Sequence, residues 1–331
     1  EDLHLGDDVF PELNAPPGFR IHPVHPWQRD TVLPARYADL IADHKLIILD
    51  HEIDVVPTAA LRTLLIPDTG EYLKVSLDIQ VTSTRRSISI ASTRNGPAVS
   101  QLLHQLVADD PQGDRLLLMA ETAGAAMPAG SGRDLSVIRR TGLAGRLEPG
   151  EQAIPGGALP YLLADLVTGD PARWLREYAE LLLPPLLRLT SKGVALEAHL
   201  QNCIPTFLDG HPHRLALRDF AGLRLHLPRL AATGHDITLW PGSVVGTDNL
   251  DVFRAKIGYT AFQAHLGELI LHLDIDEDHA WRIIREVVDA AIDGDDHAAF
   301  TAPTVPHKAL VRMRLTGNGD IYIPVPNPLH G

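Results

Sequence analysis

The stretch IPDTGEYLKVSLDIQV (Ile66–Val81) decides how the first half of the chain folds. From Lys74 onward its residues alternate. Val75, Leu77, Ile79 and Val81 fall on one side, and Lys74, Ser76, Asp78 and Gln80 on the other. A period of two is the signature of a strand with one apolar face. Pro67-Asp68 and Thr69-Gly70 supply turn chemistry, so this strand is predicted to form a hairpin with LRTLLI (Leu61–Ile66). The reading is an antiparallel sheet with one polar face. KLIILD (Lys45–Asp50) and DRLLLMAE (Asp114–Glu121) read as further strands. PAVSQLLHQLVADD (Pro97–Asp110) reads as a helix that begins at Pro97.

Beyond this sheet, Gly and Pro are dense from Ala123 to Pro160, which reads as loop. A length of 331 residues exceeds what one core usually serves, and the domain boundary is placed near residue 155. Residues 156–331 open on two helices, LPYLLADLV and PARWLREYAELLLPPLLRLTSKG, and carry two longer ones near 249–273 and 276–292. The class is α+β: an antiparallel-sheet domain over 1–155, then a mostly helical domain over 156–331. Regular β-α alternation and a Gly-rich phosphate loop are missing, which disfavours Rossmann and P-loop folds.

The hydrophobic fraction is 45% and the charged fraction 21%, ordinary for a globular protein. A formal net charge of −13 argues against general nucleic-acid binding, because no excess of cations exists to displace counterions from phosphates. The single cysteine, Cys203, excludes a disulfide within this chain and a cysteine-rich zinc site. The acidic opening lacks the pattern of a signal peptide, and no apolar run reaches the roughly 18 residues of a membrane span. These features predict a cytoplasmic protein without membrane association. The chain does not begin with Met, and a piece of a longer protein is expected.

The chemistry concentrates in GVALEAHLQN (Gly193–Asn202) and RDFAG (Arg218–Gly222), joined by a short turn. Glu197, Asn202 and Asp219 offer the oxygen ligands that magnesium prefers, and His199 can donate to a phosphate or carboxylate. The alternative is a surface pair of Glu197 with Arg218 and a half-buried, satisfied His199. In the first half, Arg62, Lys74 and Arg86 gather on one sheet face if their strands are neighbours, with Thr63 and Thr82 close in sequence. Such a cluster suits phosphates or a polycarboxylate; otherwise it is a solvated face. HPVHPWQ (His22–Gln28) spaces His22 and His25 like a metal box. Its prolines and the lack of a third ligand favour a structural corner with Trp27 in the core. No G-x-S-x-G elbow is present, so covalent acyl-enzyme chemistry is disfavoured.

The segments IHPVHPWQ, TAALRTLLI, LKVSLDIQVTSTRRS, NGPAVSQLL, GVALEAHLQN, RDFAG, HKALVRMRL and VPNPL occur in that order along nearly the whole chain. Together they resemble the siderophore synthetases that work independently of peptide synthetases, the aerobactin-synthetase-like or NIS family. The resemblance implies an ATP-dependent ligase. A citrate, succinate or related carboxylate is adenylated with loss of pyrophosphate. An amine, hydroxylamine-bearing polyamine or alcohol then displaces AMP. It further implies fingers and a palm, the palm distantly kinase-like, with the nucleotide between them. Arg62, Thr63 and Lys74 would meet the ATP phosphates, and Thr82 and Arg86 the acid. His199 would touch both carboxylate and phosphate, making His199, Arg86 and Lys74 the catalytic set. Glu197, Asn202 and Asp219 would serve Mg²⁺ and the triphosphate. A homodimer is implied too.

The chain departs from the family pattern at three points. Ala60 stands where the fingers motif has Ser, and Ser87 where Thr is usual. Family members are nearly twice as long, with an N-terminal thumb region that this sequence lacks. Two other functions fit the same residues: a kinase-like phosphotransferase, told apart by ADP release, and an inactive binding remnant, told apart by failure to bind ATP.

Overall fold

The computed structural model describes residues 3–81, 84–128, 132–316 and 321–330. It divides into two compact units, each discontinuous in sequence. The first comprises residues 1–101, 119–146 and 238–243; the second comprises 102–118, 147–237 and 244–331.

The first unit is built on a six-stranded sheet. Its order is Leu5–Gly6, Glu121–Ala126, Ser136–Arg140, Glu71–Val75, Thr63–Ile66 and Val56–Pro57, antiparallel throughout. The hairpin read from the sequence is present. Ile66 pairs Glu71, and Gly70 donates its N–H to the Ile66 carbonyl at a φ of 70°, a conformation that glycine adopts without strain. One face carries the core of Val9, Phe10, Leu64, Ile66, Leu73, Val75, Ala123, Ala125 and Val137.

The opposite face, read as polar, is buried at Thr63 and Lys74, which rules out the solvated alternative there. Thr63, Lys74, Ile138 and Gly124 lie in one row across four strands. At Gly124 an added Cβ would come 2.1 Å from the Thr93 carbonyl oxygen of the helix Ile90–Ala108. The helix meets the row at Gly124, and Lys74 in the same row is only 7% exposed. The helix begins seven residues earlier than predicted, with Ser89 Oγ accepting from the Ser92 N–H, and it carries Pro97 inside. Sidechain capping, rather than proline, starts it.

Other expectations fail for identifiable reasons. Residues Lys45–Asp50 form no strand: Ile47, Ile48 and Leu49 stay exposed and find no sheet edge to pair with. The Gly-rich stretch after Ala123 contains central strands, because small residues there let the helix approach. Trp27 is 49% exposed instead of lying in the core. Its neighbour Gln28 is what the corner buries, donating from Nε2 to the Asp134 carbonyl and accepting at Oε1 from the Asp78 N–H.

In the second unit, a four-stranded sheet runs Gln152–Ala153, Cys203–Leu208, His211–Leu217, Leu116–Leu118; the last pair is parallel. Cys203 is fully buried there. A three-stranded sheet runs Val194–Ala195, Arg224–His226, Gly246–Thr247. The helix Pro171–Ser191 is capped by Asp170, which accepts from the Ala172 N–H at 3.0 Å. It packs on Glu277–Ala291 and on the His211–Leu217 strand. Among the described residues, no helix is long and apolar enough to cross a membrane.

Candidate functional site

In the first unit, the turn before the Thr63–Ile66 strand is closed by Thr58. Its hydroxyl donates to the Thr63 carbonyl at 2.8 Å and accepts from the Ala60 N–H at 3.2 Å. Leu61 takes a left-handed φ of 61° at the apex. Arg62 leaves this turn with Nη1 donating to the Ser87 carbonyl at 2.8 Å. The backbone bonds from Val75 N to Arg62 O and from Leu77 N to Arg86 O bring Arg62, Lys74 and Arg86 to the same end of the sheet. Thr63 and Lys74 are direct cross-strand partners. Arg133, absent from the sequence reading, joins them by donating from Nε to Ser87 Oγ at 3.1 Å. Ser87 is therefore held by two guanidinium side chains. Thr82 lies outside the described residues.

In the second unit, the loop after Val194–Ala195 carries Glu197, His199 and Asn202, and the turn after His211–Leu217 carries Asp219. The two segments are stitched together. The Arg218 N–H donates to the Asn202 carbonyl, and the Arg218 guanidinium donates twice to the Gln201 carbonyl. Arg218 thus binds the loop backbone, and Glu197 pairs elsewhere. Glu197 Oε1 accepts from Lys256 Nζ at 2.9 Å, and an added Cβ on Gly222 would come 1.8 Å from Glu197 Oε2. Asp219 adopts a φ of 66°, which Asp and Asn tolerate better than most side chains.

His199 is half-buried, and burial lowers its pKa. Glu197 and Asp219 act to raise it, and Lys256 to lower it further. The imidazole is accordingly neutral near pH 7, with one nitrogen to donate and one to accept. Behind it, buried His265 spans the Ala198 carbonyl (2.9 Å) and the Tyr178 hydroxyl (2.7 Å). Burial drops the His265 pKa to about 4.

The donors present suit magnesium. Asp219 and Glu197 are carboxylates, and Asn202 spends its Nδ2 on the Glu197 carbonyl at 3.0 Å, which leaves the amide oxygen to offer a cation. Glu197, His199 and Asp219 do not gather as tightly as a cage of protein ligands would. Among the described residues that closeness belongs to Glu148, Glu151 and His213, whose ligand atoms lie within 4.8 Å. There, both carboxylate oxygens of Glu151 already accept from Arg214. Burial opposes the Glu151 charge, but the Arg214 bonds outweigh it and hold the pKa at about 2. That trio is an ion-pair cluster. A cavity of about 860 Å³ in the first unit is lined by Phe10, His22, Ile47, Leu73, Val75 and Leu135 among others. None of the predicted site residues lines it.

Lys256 belongs to no motif that the spacing argument could have weighed. Lys256 sits in an ordinary amphipathic helix, Leu250–Ile257, and only the fold turns it toward Glu197.

The IucA / IucC family profile matches residues 4–161, and that of the Ferric iron reductase FhuF-like transporter matches residues 172–323. The D-ornithine–citrate ligase of Staphylococcus aureus is 27% identical over 98% of this chain and 59% of its own length. The NRPS-independent siderophore synthetase-like protein ankE of Aspergillus thermomutatus is 30% identical over 80% of this chain and 48% of its own. Petrobactin biosynthesis protein AsbB of Bacillus anthracis superposes with a TM-score of 0.84 at 26% identity, covering 93% of this chain and 59% of that one. The chain thus spans about half to three-fifths of the length of these relatives. From its ordered motifs, its two matched halves and its fold, the chain belongs to the IucA/IucC family of NRPS-independent siderophore synthetases.

Proposed function

We propose that this chain carries the nucleotide- and acid-binding elements of an ATP-dependent carboxylate–amine ligase in siderophore assembly. The observation that carries the reading is its likeness, over 98% of its residues, to a protein named for joining D-ornithine to citrate. The residue chemistry supports it. A buried lysine next to Thr63 and Arg62 is the kind of cationic site a triphosphate needs. The oxygen-rich loop and turn of the second unit are the kind of site its magnesium needs.

In this reading a carboxylate oxygen of a citrate-like acid attacks the α-phosphorus of ATP. The bond to the bridging oxygen breaks and pyrophosphate leaves with its electron pair. The amine, or alcohol, then attacks the acyl carbon of the acyl-adenylate, AMP departs, and the attacking group releases its proton to solvent. Arg62, Thr63 and Lys74 bind the triphosphate, while Arg86 and Thr82 orient the acid. Neutral His199 hydrogen-bonds a carboxylate oxygen of the acid and an oxygen of the α-phosphate, one on either side of the O–P bond that forms. Asp219, Asn202 and Glu197 hold Mg²⁺, which offsets phosphate charge when bound. Fixed cations stabilise developing charge best where water is excluded. No protein nucleophile enters: Cys203 is fully buried, and burial raises its pKa.

Cytoplasmic location and pairing into a homodimer accompany this reading. Pyrophosphate release across a panel of citrate-like acids, with hydroxylamine trapping, tests it. Acid-dependent pyrophosphate release is expected. ADP as product would make the chain a phosphotransferase, and failure to bind Mg·ATP by calorimetry would make it a binding remnant.

A further inference from the structure

Lys256 is 4% exposed, and its ammonium lies 2.9 Å from Glu197 Oε1. A buried ammonium is strongly disfavoured unless paired, so this contact ties the helix Leu250–Ile257 to the loop. The other carboxylate oxygen rests against Gly222, where no side chain fits: a Cβ would come 1.8 Å from Oε2. Gly222 ends the short 3-10 turn that Asp219 opens. The Glu197 carbonyl meanwhile holds Asn202 Nδ2 at 3.0 Å. One residue therefore joins the helix, the loop and the turn.

We infer that Lys256 is a positioning residue: by clamping Glu197 against Gly222 it keeps the loop bearing His199 and Asn202 in register with the turn bearing Asp219. The magnesium-binding oxygens are thereby held in place before the nucleotide arrives. This rests on the ligase reading above. Partners that act through a metal ligand typically change affinity about 10–100-fold when removed, and preorganisation is how they do it.

The test is calorimetric titration of the full chain with Mg·ATP, and with ATP in EDTA. It uses wild type, Lys256→Met, Lys256→Arg, Glu197→Gln and the Lys256→Met/Glu197→Gln double variant, each checked for folding by circular dichroism. Lys256→Met is expected to weaken Mg·ATP binding about 10–100-fold and to leave magnesium-free ATP binding nearly unchanged. Lys256→Arg, which keeps the charge, recovers most of the loss. In the Glu197→Gln background the same substitution adds little, because coupled residues are not additive. Undiminished Mg·ATP binding by Lys256→Met, equal losses in both backgrounds, or an equal loss without magnesium overturns the inference. If Lys256→Met does not fold, the double variant, which removes both charges of this pair, takes its place. Binding like that of Glu197→Gln supports the clamp, and a further tenfold loss overturns it. A wild type that binds no Mg·ATP overturns the ligase reading and the clamp with it; a wild type that binds while Lys256→Met is indifferent overturns the clamp alone.

Discussion

At the scale of single residues, Asp219 is the sharpest probe. Its left-handed backbone is shared comfortably by Asn, so Asp219→Asn removes a charge without adding strain. Adenylation should fall by at least about 100-fold, a loss in the range typical of an electrostatic catalytic group, while the melting temperature stays within a few degrees. Unchanged pyrophosphate release in this variant would remove Asp219 from the magnesium site. Arg86→Ala should raise the KM for the acid more than the KM for ATP, because Arg86 is assigned to the acid and Arg62 and Lys74 to the phosphates. Equal losses would move Arg86 to the nucleotide side. These residue types were legible in the sequence, since carboxylate, amide and imidazole within six positions is an uncommon grouping. Lys256 was not, because a lysine in a helix is ordinary until the fold buries it against a carboxylate.

Among the elements, register decides more than composition. Alternation gave the hairpin and put Leu73 and Val75 on the apolar face, but the strand it read through to Val81 stops at Val75, and Gln80–Val81 pairs separately with Thr84–Arg85. It could not say that the polar face would be buried, because a lysine on a strand looks the same whether water or protein lies above it. The cue lay elsewhere, in Gly124, whose lack of a side chain admits the Thr93 carbonyl. Gly124→Ala should therefore lift the helix Ile90–Ala108 from the sheet and destabilise the chain by about 1–3 kcal/mol. Urea unfolding would read this, and a variant as stable as wild type would show that helix and sheet adjust freely. The failed strand at Lys45–Asp50 teaches the converse. β-branched residues favour a strand only where an edge and a packed face are on offer.

For the whole molecule, pH is the informative variable. His265 has an ordinary pKa of 6.5 that burial lowers to about 4 in the folded chain. Between these values the unfolded chain binds the proton and the folded chain refuses it, so stability rises with pH. The contribution is full above pH 6.5 and is lost as pH falls toward 4. It amounts to about 3 kcal/mol at the 1.36 kcal/mol per unit that links pKa to free energy. Relative to wild type, His265→Gln should lose less stability between pH 6.5 and 4 in urea titrations. Parallel curves would mean that His265 takes up its proton in the folded state. Length and an ordinary apolar fraction pointed to two cores. They could not show that each unit borrows segments from the other half of the sequence, because such exchanges depend on contacts between residues far apart along the chain.

The lone thiol at the start of the Cys203–Leu208 strand supplies a built-in clock. Burial raises its pKa, so in the native state it is both shielded and protonated, while alkylating reagents consume only exposed thiolate. Every modification event must await an opening of that strand, and with one thiol per chain each event counts once. Labelling should follow a single exponential whose rate slows when Mg·ATP is added, turning ligand occupancy into a mass shift that needs no turnover at all.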